Sequence, residues 1–125
     1  MKKFAVCVLA LLFVVACNKQ DESFMGKSYS TNGEYGAEIT MEFHATETRV
    51  FGKVVNRYNG SYTVAGNTIK FTPFASTMMM GPEDAMRDEY SFHQFMSKVD
   101  RFDINGDELI FYTPEDGSII LHINN

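Results

Sequence analysis

From Gly36 toward the C-terminus, apolar and polar residues alternate with a period of two, the pattern of strands with one face in a core and the other in water. Ile39, Met41 and Phe43 alternate with Glu38, Thr40 and Glu42, and residues 49–55, 61–64 and 68–72 continue the pattern. Between the last two segments, Ala65-Gly66-Asn67 tolerates positive φ, and Asn105-Gly106 separates Phe102 and Ile104 from Leu109, Phe111 and Tyr112. Both predict hairpins. Glu115-Asp116-Gly117 predicts one more turn, before a strand over 118–123. About seven or eight short strands joined by tight turns predict a mainly β domain: an antiparallel sheet curled toward a barrel or half-barrel.

One segment breaks this period. Over residues 82–99, Phe92, Phe95, Met96 and Val99 fall at i, i+3, i+4 and i+7, one apolar stripe of a helix. Pro82 suits its first turn, Glu83 and Asp84 the positive end of its dipole, and Lys98 with Arg101 the negative end. The stripe must be buried, and an open end or face of the sheet is the expected place.

The first residues follow a different grammar: Lys2-Lys3, an apolar run from Phe4 to Val15, then Ala16 before Cys17. This is the order of a secretion signal. The run is about 12 residues, short of the roughly 20 that cross a bilayer as a helix. Val14-Val15-Ala16-Cys17 resembles a lipobox, so residues 1–16 are expected to be removed and Cys17 to carry the lipid. Cys7 lies in the discarded part and no cysteine follows Cys17, which leaves the mature chain without a disulfide partner. Each buried methylene contributes about 0.8 kcal/mol, so more than one acyl chain anchors firmly. The expected location is therefore the cell envelope, on the outer membrane at its periplasmic side or at the cell surface. Residues 17–23 read as a polar, lipidated tether, and residues 24–125 as the domain.

Removal of the two leader lysines leaves nine basic against sixteen acidic residues, a net charge near −7. Nucleic acid is excluded on this balance, because its phosphates are bound by basic clusters. The mature chain of 109 residues suits one domain with its own core.

Three runs carry a family resemblance: Asn56-Arg57-Tyr58-Asn59-Gly60-Ser61-Tyr62-Thr63-Val64, Gly66-Asn67-Thr68-Ile69-Lys70-Phe71 and Ala75-Ser76-Thr77-Met78-Met79. With Glu89, Phe92 and Phe95, they resemble the META domain family, that of HslJ-like heat-shock lipoproteins, over residues 24–123. The resemblance implies a lipocalin-like antiparallel β-barrel or half-barrel with one α-helix. It also implies association with stress response, without a defined chemical activity. Its signature positions are Asn56, Gly60, Tyr62, Gly66, Ala75, Ser76, Thr77, Met79 and Glu89. The chain departs from many members, which carry cysteines where it has Val55 and Gly81.

Candidate chemistry is sparse. His44, His93 and His122 have no ligand spacing, so no metal or cofactor is predicted. The residues from Asp103 to Glu108 superficially resemble a calcium loop but read better as a hairpin turn. Ser76 and Thr77 lack a glycine elbow or a partner histidine, and their hydroxyls are expected to bond backbone. Asn56 and Glu89 are expected in turn capping and a buried polar contact. The run Met78-Met79-Met80 is read as core filling beneath the helix, with an exposed contact surface as the alternative.

Two function classes remain. The first is a non-enzymatic envelope lipoprotein that acts through contacts with a protein partner in stress response or maintenance. The second is a small hydrophobic ligand binder that uses the barrel interior. An interior filled by Phe, Met and Tyr side chains would count against the second.

Overall fold

The computed structural model of the protein describes residues 23–124. The expected signal peptide, Cys17 and the tether up to residue 22 lie outside the described residues. Nine strands and one helix follow in the order β1 (Ser28–Asn32), β2 (Glu38–Phe43), β3 (Arg49–Lys53), β4 (Arg57–Ala65), β5 (Thr68–Phe71), β6 (Ala75–Ser76), α1 (Glu83–Met96), β7 (Arg101–Asn105), β8 (Glu108–Tyr112) and β9 (Ser118–Ile123).

All pairings are antiparallel, and neighbours run β3-β2-β1-β9-β8-β7-β5-β4. Because β3 also pairs with β4, from Arg49 opposite Ser61 to Lys53 opposite Arg57, the sheet returns on itself as a ring. The predicted curled antiparallel sheet is thus present. Its narrowest seam is β5 to β7, where Thr68 opposes Arg101 and Phe102 N–H reaches the Asn67 carbonyl at 3.0 Å. Short β6 lies along β4, with Ala75 opposite Asn59 and Ser76 opposite Tyr58.

Alternation decides which side chains face inward. Ile39, Met41 and Phe43 on β2, Leu109 and Phe111 on β8, and Leu121 on β9 are all buried. The positive φ of Gly66 and Gly106 makes the β4–β5 and β7–β8 turns, as their sequences predict. At the β8–β9 turn the left-handed residue is Asp116 (φ 64°), not the glycine beside it; a short polar side chain tolerates that region. Strand β1 departs from the reading of the sequence, which begins strands only after Gly36. Within Ser-Tyr-Ser-Thr-Asn only Tyr29 is buried, so no alternation is visible; β1 is held by backbone pairing to β2 and β9.

The barrel is closed by different means at its two ends. At one end Phe24, fully buried, packs its ring 4.8 Å from Phe43, 5.7 Å from Tyr62 and 5.4 Å from Phe102. At the other, α1 lies against the β1–β2, β3–β4 and β8–β9 turns. The helix is shorter than the predicted 82–99: Pro82 is its N-cap, and Ser97 ends it with its hydroxyl on the Gln94 carbonyl at 2.7 Å. Lys98 and Arg101 therefore fall beyond the helix, and Arg101 opens β7. Phe92 and Met96 are buried and Phe95 is packed at the edge of the core; Val99 is buried just past the helix end.

Candidate functional site

The signature residues converge where α1 meets the β3–β4 turn. Asn56 sits in that turn, 2% exposed, and all four hydrogen-bonding positions of its amide are used. Its Nδ2 donates to Glu89 Oε2 at 2.9 Å and to the Met79 carbonyl at 3.0 Å. Its Oδ1 accepts from Thr77 Oγ1 at 2.9 Å and from the Met79 N–H at 2.6 Å. Glu89, 7% exposed, receives the Val55 and Asn56 N–H groups on Oε1 at 3.1 and 2.6 Å. Three segments distant in sequence are thereby latched together. Polar groups this deep cost free energy unless paired, and here each pairs with another of the set.

Asp88, next along the helix, makes a second latch that has no counterpart in the reading of the sequence. It is 3% exposed and accepts N–H bonds from Tyr35 at 3.0 Å and Ala37 at 2.9 Å, so it caps the β1–β2 turn as Glu89 caps the β3–β4 turn. Nothing in Arg87-Asp88-Glu89 distinguishes this carboxylate from a solvated one; its role depends on which helix face meets the barrel.

Thr77 differs from expectation in its partner. Its hydroxyl bonds the Asn56 side chain, while its backbone N–H bonds the Arg57 carbonyl at 3.1 Å. Ser76 and Ala75 are exposed on β6. Gly60 is a place of close approach: a side chain there would meet the Phe74 ring at 2.6 Å. Tyr62 is buried in the aromatic cluster with Phe24 and Phe43, and Gly66 makes its turn. The departures Val55 and Gly81 are neighbours, since a Cβ built on Gly81 falls 3.5 Å from Val55 Cβ.

The methionine run corrects the core-filling reading. Met78, Met79 and Met80 are 91, 62 and 88% exposed. The space they were expected to fill is taken by Phe74, which stacks 4.9 Å from Tyr58 with planes 21° apart and lies 6.4 Å from Phe92. Asn56 meanwhile binds Met79 through its backbone alone, which leaves its side chain outside.

His93 completes this aromatic group, its ring 5.6 Å from Tyr58, 5.8 Å from Phe74 and 5.7 Å from Phe92. Its Nε2 is buried without a hydrogen-bond partner, and burial pulls its pKa below the ordinary histidine value, against a smaller upward pull from Glu89. Tyr58 is pushed upward, by burial first and Glu42 second, and its hydroxyl donates to the Thr40 carbonyl at 2.6 Å. The other two histidines stand apart, His44 3.6 Å from Glu47 and His122 3.6 Å from Glu108. Among the described residues no three His, Cys, Asp or Glu side chains gather as metal ligands.

A family model described as the META domain matches residues 20–123 of the chain. The chain belongs to the META domain family. Two structures solved by NMR share the META fold of this chain. One, of a protein from Burkholderia xenovorans, aligns with a TM-score of 0.69 at 14% identity over 83% of this chain and 86% of the other. The second aligns with a TM-score of 0.61 at 14% identity over 82% and 92%. Among curated proteins none matches. In this META domain the signature residues Asn56, Thr77, Met79 and Glu89 are one hydrogen-bonded cluster, and the latch orients the methionine loop.

Proposed function

We propose that this META-domain protein is a non-enzymatic lipoprotein of the bacterial cell envelope, anchored through Cys17, that serves stress response or maintenance by protein contacts made at the Met78-Met79-Met80 loop. One observation carries the reading. Three adjacent methionines stand exposed on a loop whose backbone is gripped by the buried amide of Asn56. A flexible apolar side chain adapts its shape to a partner, the fixed backbone spares the cost of ordering the loop, and methionine is favoured at such surfaces. The leader and the sequence Val14-Val15-Ala16-Cys17 support the anchor.

The alternative, a small hydrophobic ligand inside the barrel, is weakened by what fills it: Phe24, Met41, Leu109, Phe111 and Leu121 are 0% exposed there.

A photo-crosslinking residue at position 80, introduced in intact cells, tests the contact. A reproducible adduct that is missing when the probe is moved to Asn124 and lost in M78S/M79S supports the reading. Equal labelling from both positions overturns it. A C17S protein that still takes up labelled palmitate overturns the anchor.

A further inference from the structure

Sulfur is unevenly placed in this domain. Met78, Met79 and Met80 lie open, while Met41 and Met96 are 0 and 1% exposed, and Met25 and Met86 are half-buried. No cysteine follows Cys17 in the sequence, so an oxidant that reaches the domain meets thioethers rather than thiols. Susceptibility to oxidation follows exposure, and a sulfoxide converts a flexible apolar side chain into a polar one. The latch on the loop uses only backbone atoms of Met79, so chemistry at the sulfur atoms leaves its bonds in place.

We propose that Met78, Met79 and Met80 form an oxidation site at which peroxides switch this surface from apolar to polar while the domain stays folded; the consequence for contacts rests on the reading of the loop given above. In each step a thioether sulfur attacks one oxygen of hydrogen peroxide. An S–O bond forms as the O–O bond breaks, the sulfur gives up an electron pair, and the second oxygen leaves as water after proton transfer. Methionine sulfoxide reductases, drawing electrons from a thiol, reverse the change. A protein made for envelope stress would thus lose its partner in direct response to the oxidant.

The test uses the lipidated protein isolated from cells exposed to hydrogen peroxide. Peptide mass spectrometry is expected to show oxidation at positions 78–80 about ten-fold or more faster than at Met41 and Met96. The melting temperature in detergent micelles should stay unchanged. Equal rates at buried and exposed positions, or a melt that falls as the loop oxidises, would overturn the site. For the switch, a photo-crosslinking probe at Ser76 is compared between the parent and M78L/M79L/M80L, which keeps the loop apolar but cannot be oxidised. Peroxide should abolish the adduct in the parent and spare it in the leucine variant; equal loss in both overturns the switch. Absence of any adduct before treatment would instead sink the contact reading, and the oxidation pattern would still be decided by mass spectrometry.

Discussion

Asn56 holds Met79 from both sides of its peptide backbone, donating to its carbonyl at 3.0 Å and accepting from its N–H at 2.6 Å. The same amide reaches Glu89 on α1, so the position of the exposed loop is tied to the position of the helix. Truncation by Asn56→Ala removes at once the partner of Thr77 Oγ1, of the Met79 N–H and carbonyl and of Glu89 Oε2, while Glu89 Oε1 keeps the Val55 and Asn56 N–H groups; a polar group left unpaired where it is buried, as Glu89 is, costs about 1–3 kcal/mol. A loss of about 3 kcal/mol is expected, read as a lower urea midpoint. Asn56→Asp should be no milder, because it removes the Nδ2 donation and sets a second carboxylate against Glu89. A midpoint within error of the parent for either variant would show that the latch contributes nothing.

Asp88 and Glu89 split the helix attachment between two turns, and their variants should separate by the number of bonds lost. Asp88→Ala abandons the Tyr35 and Ala37 N–H groups and is expected to cost about 2 kcal/mol. Asp88→Asn keeps one acceptor oxygen and should fall between that variant and the parent. Hydrogen exchange provides the local check: the Tyr35 and Ala37 amides should lose protection in Asp88→Ala while the Val55 and Asn56 amides keep theirs.

The helix stripe was legible in the sequence and its burial makes a third expectation. Phe92, 3% exposed, lies 5.4 Å from Tyr58 and 6.4 Å from Phe74. Phe92→Asp removes that packing and buries a charge beside rings, so several kcal/mol of destabilisation is expected. A thermal melt matching the parent would contradict the placement of α1.

His93 gives a pH dependence whose sign follows from its depressed pKa. The unfolded chain takes up a proton near the ordinary histidine value of 6.5, whereas the folded chain resists it, because the ring is partly desolvated and its Nε2 has no partner. Above that value neither state is protonated and the group adds no pH dependence. As pH falls below it the unfolded state binds the proton first, so stability declines until the folded pKa is also passed. His93→Phe keeps a ring among Tyr58, Phe74 and Phe92 and should flatten this part of the curve. Parallel losses of melting temperature between pH 7.5 and 5 in parent and variant would assign the effect to another group.

What the sequence made legible was whatever alternation or turn chemistry writes locally. Strand β2 announces itself through Ile39, Met41 and Phe43, and the β4–β5 and β7–β8 turns through Gly66 and Gly106. Strand β1 does not, because its stability comes from hydrogen bonds to β2 and β9 rather than from its own apolar residues. The methionine run misled for a related reason. Hydrophobicity alone points inward, and only the three-dimensional competition with Phe74 for the space under α1 sends Met78 and Met80 outward. Asn56 and Glu89 stood out as family positions; Asp88 had no such marker, although its burial and partners are of the same kind.

The pair Val55 and Gly81 offers the last expectation, and it joins the latch to the chemistry that this chain lacks. A Cβ on Gly81 would lie 3.5 Å from Val55 Cβ, at the short edge of the range a disulfide spans, and 2.7 Å from Val55 Cγ1. Gly81→Ala alone therefore collides with a valine methyl and is expected to destabilise. Val55→Cys alone removes that branch and loses some packing. Together, Val55→Cys and Gly81→Cys relieve the collision and bring two sulfur atoms within bonding reach, so the double variant should be more stable than the sum of its parts. A cross-link closing a loop of this length contributes about 3.5 kcal/mol in the chain-entropy account. After oxidation the double variant is expected to show no free thiol at positions 55 and 81, to run faster on a non-reducing gel and to melt higher than its own reduced form. Two titratable thiols persisting at those positions under oxidising conditions would mean that the loop carrying the methionines does not lie against the β3–β4 turn as described.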